Sequence, residues 1–552
     1  MKKNKKIMVA GAIGEDVHIA GMINFLRLAE KEGYSTVFLG PAVPIKTMVG
    51  AIVETDADLI GVSYRLMPKS GKFHLTQLRL ALEEAGLLKK DKKYVFGGTP
   101  QIAQIAKEIK IFDKIFDGSE TIEETIMYLK GKMDKKVSKL YPDNLLERIL
   151  WKKPFPVIRH HLGLPSFKDT IKAIEEVSKS KVLDIISLAI DQDAQENFFH
   201  PERQESGRKG AGGVPVRTKE DFKKIYSSSR CGNFPLMRCY QGTDDLIKMA
   251  EMLVETIKNC YAAIPLFWFS KLDGRGPLEL EEAIKEHQTL MSWHGKRGIP
   301  VEINEPHHFE LRESSDVVAV ADTYLSAYNA KKMGVGHYIC TYMFDLPYDE
   351  SYRMDLAKQL AKQDIIKSLR DDKFSILSQT RTGLLRYPTD LHAAKGRLAT
   401  SIMMQMVLRP EIIHAVSYVE ADHAATADDI IESCKIINYV VRHCLEGMPD
   451  MVADPQIQKR RIELINEAKI LLDGIKKIAP KEAEDPLSDS VTLGRAIRIG
   501  ILDAPHLKGS RIAKGTMKTK IIDGACYTVD PKTEEPISEQ KRIEGILDSL
   551  SE

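Results

Sequence analysis

The chain lacks the features that would tie it to a membrane, to nucleic acid or to an oxidising compartment. None of its seven cysteines (231, 239, 260, 340, 434, 444 and 526) belongs to a C-x-x-C pair. Their number is odd and their spacing scattered, which argues against a zinc ribbon or a disulfide framework and suits a reducing cytoplasm. No apolar run approaches the roughly 18 residues of a membrane span, and the Lys-rich start is not followed by a signal-peptide core. A soluble, cytoplasmic protein without a membrane partner is expected. An excess of one charge is missing too: 80 Lys plus Arg face 78 Asp plus Glu, which gives nucleic acid no basic surface to bind. At 552 residues the chain exceeds one compact core, so two or three domains are expected.

What is present begins with alternation. Lys5 to Ile13 reads as a buried strand, and Ile19 to Gly33 as an amphipathic helix with a glycine stop. Short apolar strands follow at 36–39, 59–63, 94–96 and 114–116, separated by helical segments. Five βα units over residues 1–130 predict an α/β domain, a doubly wound parallel sheet of the flavodoxin type. Such sheets bind ligands at the carboxyl ends of their strands. Asp16-Val17-His18-Ile19-Ala20-Gly21 follows the first strand, Ser63 ends the third, and Gly97-Gly98 ends the fourth. An imidazole can ligate a metal while a carboxylate two residues away accepts its other N–H, and glycines admit a bulky group close to the backbone. The plainer alternative is that His18 only caps or packs.

Asp-x-His-x-x-Gly, then Ser, then Gly-Gly resembles the cobalamin-binding fingerprint of the B12-dependent mutases and methionine synthase. The resemblance implies His18 as the lower axial cobalt ligand, oriented by Asp16. It places Val17, Ile19, Gly21, Ser63, Leu66, Gly97 and Gly98 around the cofactor. Leu66 stands three positions after Ser63, where the family has two, and the gap to Gly97 is a few residues longer than usual.

Residues 131–156 read as a linker, opening on the charged run 132–136 and closing on Pro154-Phe155-Pro156. Beyond it, strand candidates at 182–190, 236–239, 263–269, 301–303, 336–342 and 412–418 alternate with amphipathic helices. This fits a catalytic (β/α)8 barrel over 157–480, with a C-terminal extension (481–552) packed on it. Gly500-Ile501-Leu502-Asp503-Ala504-Pro505, Ala513-Lys514-Gly515, Tyr387-Pro388-Thr389-Asp390 and Ile303-Asn304-Glu305-Pro306 occur in an order similar to the large subunit of glutamate mutase. The chain then resembles that enzyme with its cobalamin-binding small subunit fused ahead of the barrel.

This resemblance implies adenosylcobalamin held between the domains and a radical isomerisation in the barrel. Of the three arginines that grip glutamate in the family, Arg238 matches one, while His161 and Gln195 stand at the other two positions. Apolar residues 264–268 replace the carboxylate that meets the amino group. A small organic acid other than glutamate, monocarboxylate or weakly polar, is therefore the expected substrate. Glu420 with Asp422 and His423 is a candidate for the adenosyl side, and a homodimer is the expected assembly. Glu302, Glu305, His307 and His308 form a further cluster, read as strand-end chemistry rather than a metal site because adjacent histidines diverge in regular structure. Gly210-Ala211-Gly212-Gly213 reads as a flexible loop over the barrel mouth, with His200, Arg203 and Arg208 as possible contacts. Two alternatives stay open: a corrinoid-dependent methyltransferase, which usually carries a helical layer ahead of the cobalamin domain, and a non-catalytic cobalamin carrier or sensor.

Overall fold

The computed structural model describes residues 6–88, 91–132, 141–240, 242–303 and 306–550. The chain divides into two units, Met1–Leu140 and Tyr141–Glu552. In the first, strands β1 (Ile7–Ala12), β2 (Ser35–Phe38), β3 (Leu59–Ser63), β4 (Lys93–Gly97) and β5 (Lys114–Phe116) form one parallel sheet in the order β2-β1-β3-β4-β5. Helices cover both faces, so the strands are apolar on both sides. Val9, Ile60, Val62 and Phe96 pack with Leu75 and Leu78 on one face, and Met8, Ala10 and Val95 with Met22 and Leu26 on the other. The chain leaves β1 toward β2 on one side and returns to β3 on the other. That reversal opens a crevice at the strands' carboxyl ends, where Ala12 pairs with Ser63 and Ser63 with Gly97.

The second unit is built on eight parallel strands: β6 (Val157–Leu162), β7 (Ile185–Leu188), β8 (Leu236–Cys239), β9 (Ala262–Ala263), β10 (Val301–Ile303), β11 (His337–Phe344), β12 (Ser375–Thr382) and β13 (Ile412–His414). The ladder runs β8-β7-β6-β13-β12-β11-β10-β9 and is nearly closed. Between β8 and β9 a single backbone bond, Cys260 N–H to the Met237 carbonyl at 2.9 Å, joins the edges, beside the Cys239 N–H donating to Asn259 Oδ1 at 3.0 Å. Strands β6 and β12 are additions to the sequence-based list. Their inward positions carry Arg159, His161, Gln379 and Arg381, which break the apolar run by which buried strands are recognised.

The stretch 131–156, expected to be linker throughout, carries helix α1 (Leu145–Lys152), capped by the Asn144 side chain on the Glu147 N–H. Leu145 and Ile149 on this helix pack with Val157, Ile185, Leu236 and Ile412 as an apolar floor inside the barrel. Its Arg148 donates to the carbonyls of Pro142 and Phe234. Residues 133–140 of that stretch lie outside the described residues. The 23-residue helix α2 (Pro455–Lys477) starts on Asp454, which accepts the Gln456 N–H at 2.8 Å, and buries Leu464, Leu471 and Ile475 in the larger core. Leu487, Leu493, Ile497 and Ile543 of the C-terminal part join the same core. All seven cysteines are free thiols, and no helix among the described residues is long and apolar enough to cross a membrane.

Two buried histidines give this unit a pH response. His287 bonds the Leu266 carbonyl at 3.1 Å and His294 the Leu290 carbonyl at 2.8 Å. Burial pushes both down to about 4 from an ordinary 6.5. The unfolded chain takes up these protons near pH 6.5 but the fold only near pH 4, so acidification through that window favours unfolding. At pH 5.5 each histidine costs about 1.4 kcal/mol. Apparent melting temperature should be level from pH 7 to 8 and fall steadily between pH 6.5 and 4.5. A curve that stays level through that window would mean that the histidines are charged in the fold.

Candidate functional site

In the first unit the site is organised by one buried carboxylate. Asp16 is fully buried, and its Oδ1 accepts both the backbone N–H of His18 at 2.9 Å and the ring Nδ1–H at 2.8 Å. Its Oδ2 accepts the Arg65 N–H at 2.7 Å. An ionised carboxylate can only accept, so the His18 proton sits on Nδ1 and the lone pair on Nε2. The His18 side chain is 45% exposed, which leaves that lone pair free for a metal. A carboxylate that orients a metal-ligating imidazole is arranged in this way.

The surroundings fit a bulky cofactor. Ser63 Oγ is buried and meets no partner among the described residues. A Cβ at Gly21 or Gly97 would stand in open space, whereas one at Gly98 would lie 2.6 Å from the Tyr64 carbonyl oxygen and 2.7 Å from the Phe96 ring. Val17 is exposed, and Leu66 packs against the sheet's apolar core. Ile19 is half-buried.

A second carboxylate escaped sequence reading. Glu15 accepts Tyr64 Oη–H at 2.6 Å and bonds His74 Nε2 at 2.5 Å. The bond from Tyr64 is the main reason its carboxyl is held below the ordinary range. These residues tie the loop that carries His18 to the exit of β3 and to the helix Pro68–Glu84. They are far apart in sequence and form no local motif.

The barrel holds a different assembly. Glu302 on β10 accepts Arg159 Nη1–H at 2.8 Å, Thr341 Oγ1–H at 2.9 Å and Gln379 Nε2–H at 2.8 Å, and pairs with Arg238 Nη1 at 3.4 Å. Burial alone would raise its pKa, but Arg159 and Arg238, then the bonds from Thr341 and Gln379, hold it at about 2. Arg238 is fully buried and lies over the rings of Tyr240 at 4.8 Å and Tyr261 at 5.1 Å. Its Nε and Nη2 meet no acceptor among the described residues. Those two donors form one edge of the guanidinium, the edge that grips a carboxylate at two points.

His161 stacks on Tyr240 at 5.9 Å and lies 4.9 Å from His414. Burial first, and then the charges of Arg159 and Arg381, hold both imidazoles neutral, well below their ordinary value. Arg238 bears on both as well. The chamber therefore holds three arginines, where the sequence reading counted one. Glu420 stands at the exposed rim; burial raises its carboxyl pKa and Arg381 lowers it.

Other candidates are engaged elsewhere. Gln195 donates from Nε2 to the Ile190 carbonyl at 2.8 Å and accepts the Thr243 N–H on its own carbonyl. Asp422 and Asp429 both bond the exposed His423. The Gly210–Gly213 loop is tied down: the Gly210 N–H bonds Asp191 Oδ2 at 2.9 Å, and a Cβ on Gly213 would lie 2.4 Å from the Ala189 carbonyl oxygen. Arg208 pairs with Glu196 and His200 with Asp245. Arg203 lies 3.6 Å from Asp244.

His307 and His308 are buried with their rings 4.6 Å apart, closer than adjacent histidines were expected to come. The charges of Arg381 and Glu302 bear on His307, while His308 lies 5.6 Å from Trp268. Glu305, Asn304 and Gln241 lie outside the described residues.

The glycines separate a packing constraint from a binding one. Gly98→Ala must drive a methyl into the Tyr64 backbone and should cost about 1–3 kcal/mol of first-unit stability. Gly97→Ala should leave stability within about 0.5 kcal/mol. Melting of the two variants, followed by hydrogen exchange at β3 and β4, checks this; equal losses would show that the open space at Gly97 is filled.

Over 134 residues the chain is 31% identical to the glutamate mutase sigma subunit of Clostridium tetanomorphum, covering 23% of this chain and 94% of that subunit. Among solved structures, a cobalamin-binding protein of Desulfitobacterium hafniense DCB-2 is 22% identical, with 23% of this chain and 56% of that one covered and a TM-score of 0.20. The cobalamin-dependent S-adenosylmethionine radical enzyme OxsB is 11% identical over 99% of this chain and 80% of its own, with a TM-score of 0.19. Scores this low do not place the folds together. No protein-family model matches the chain. The likeness to the sigma subunit runs through nearly that subunit's whole length, and by its first unit the chain belongs to the glutamate mutase sigma subunit family.

Proposed function

We propose that the protein is an adenosylcobalamin-dependent radical isomerase, a carbon-skeleton mutase of the glutamate-mutase kind acting on a small organic acid other than glutamate. The observation that carries this reading is His18, braced through Nδ1 by a buried aspartate and open at Nε2, in a domain related to a mutase subunit. When bound, adenosylcobalamin supplies a carbon radical by homolysis of its cobalt–carbon bond.

The chain's own residues do the rest. His18 would hold the cofactor's cobalt through Nε2, with Asp16 fixing its tautomer. Gly97 and Gly21 leave room for the cofactor's bulk, and Ser63 Oγ offers a donor inside the crevice. In the barrel the free edge of Arg238 holds the substrate carboxylate, while Tyr240 and His161 form a wall beside it. Neutral His161 and His414 add polarity without mobile charge. Glu302 is already shared by two arginines, so an amino acid's ammonium group finds no counter-charge there. This supports a substrate other than glutamate.

Exchanging His18 for Gly should abolish protein-derived nitrogen coupling in the electron paramagnetic resonance spectrum of the Co(II) form. An unchanged spectrum would refute the ligand assignment. Arg238→Lys should lower kcat/KM roughly thirty- to a thousandfold, a loss of about 2–4 kcal/mol, because an ammonium cannot reproduce a planar two-point grip. Cobalamin binding should survive, since the His18 site is in the other unit. Normal turnover by the lysine variant would make Arg238 a structural partner of Glu302 alone.

A further inference from the structure

Arg381 lies at the carboxyl end of β12 and pairs across the sheet with His414, which in turn pairs with Arg159. Arg159 is satisfied on one side by Tyr261, Glu302 and Gln379. Arg381 is not. It forms no ion pair among the described residues, and its Nε is buried without an acceptor. The acids whose charge reaches it are Glu420 at the rim and Glu302, which two other arginines already share. Arg381 as a whole is half-buried, but a donor buried without an acceptor costs stability until a partner arrives.

The same chamber contains other unused donors: Arg238 Nε and Nη2, Arg159 Nε and Ser187 Oγ, all buried without acceptors among the described residues. Arg159 lies 3.4 Å from His161 and 3.3 Å from His414, Arg238 lies over Tyr240, on which His161 stacks, and Arg381 stands beside His414 in the strand ladder, so the three arginines face one space. Among the described residues three guanidinium groups face one central carboxylate, which Arg159 and Arg238 share, and Arg381 is left with Glu420 at the rim. Among the described residues no acid inside the chamber is free for an ammonium group, Glu420 standing at the exposed rim.

We propose that Arg381 is a second anion anchor and that the chamber takes a small dicarboxylate without an amino group, one carboxylate on the Nε/Nη2 edge of Arg238 and the other on Arg381. This rests on the barrel chamber being the substrate site, as proposed above. It replaces the monocarboxylate expectation, which followed from a count that omitted both Arg159 and Arg381.

The test is isothermal titration of the full chain, prepared without cofactor, with succinate, glutarate, butyrate and inorganic phosphate. At least one dicarboxylate should bind about tenfold or more tightly than butyrate. Arg381→Gln should bring that dicarboxylate to the butyrate level and leave butyrate unchanged. The ligand-free Arg381→Gln and Arg381→Met variants should melt higher than the parent, because a half-buried charge with a buried, unpaired Nε has been removed. Equal dicarboxylate affinity in parent and variant would overturn the proposal, as would tighter binding of phosphate or binding of neither dicarboxylate. A lower melting temperature of both variants would mark Arg381 as structural and also overturn it. None of these readouts involves cobalt. Failure here with His18 coupling intact in the Co(II) spectrum rejects the dicarboxylate, whereas loss of that coupling rejects the cofactor reading.

Discussion

Glu302 is the point on which the barrel's interior depends. It draws hydrogen bonds or ion pairs from β6, β8, β11 and β12 while itself standing on β10. A buried carboxylate is costly alone and a buried arginine equally so. Together, with Thr341 and Gln379 filling the remaining lone pairs, they form a set that is stable only when complete. The set lies above the apolar floor made by Val157, Ile185, Leu236 and Ile412. It therefore fixes the height at which His161, Tyr240 and His414 reach the chamber.

The first unit uses the same device on a smaller scale. Asp16 holds one nitrogen of His18 and leaves the other outward, just as Glu302 holds one nitrogen of Arg238 and leaves the opposite edge unused. In both places a buried acid consumes part of a side chain's bonding capacity and thereby aims the remainder. What remains, an imidazole lone pair in one case and a pair of N–H donors in the other, is what a ligand would meet. Orientation comes from the acid, and recognition from what the acid leaves free.

Much of the first unit was legible because its chemistry sits in short segments at strand ends, where the spacing of Asp16, His18, Ser63 and Gly97 survives as a linear pattern. The Glu15, Tyr64 and His74 group was not, since its members meet only after the sheet and helix have packed. In the barrel, the strands with plain apolar runs were readable. Val157–Leu162 and Ser375–Thr382 were not, because the polar side chains they turn inward look like loop residues in sequence. Arg159 and Arg381 were missed with them. A usable signal existed for one of them: Arg159 stands two positions from His161 in Val157-Ile158-Arg159-His160-His161-Leu162, the period of a strand facing a polar interior, whereas Arg381 lies between two threonines. Helix Leu145–Lys152 was hidden by its charged and proline-rich flanks, and the bond from the Gln195 amide to the Ile190 carbonyl was not legible because position in a short motif says nothing about where an amide finds its acceptor.

The partners within this chamber come from opposite ends of the unit. Arg159 meets Glu302 across 143 residues, Gln379 across 220 and His414 across 255. Contacts of such high sequence separation pay their loop-closure entropy before any reward arrives. Completing the charged cluster therefore requires the first barrel strand to meet the last, where His414 joins Arg159. A chain truncated before β13 would lose His414 and the strand pairing that sets Arg159 beside it, while every residue bonded to Glu302 would remain in the sequence.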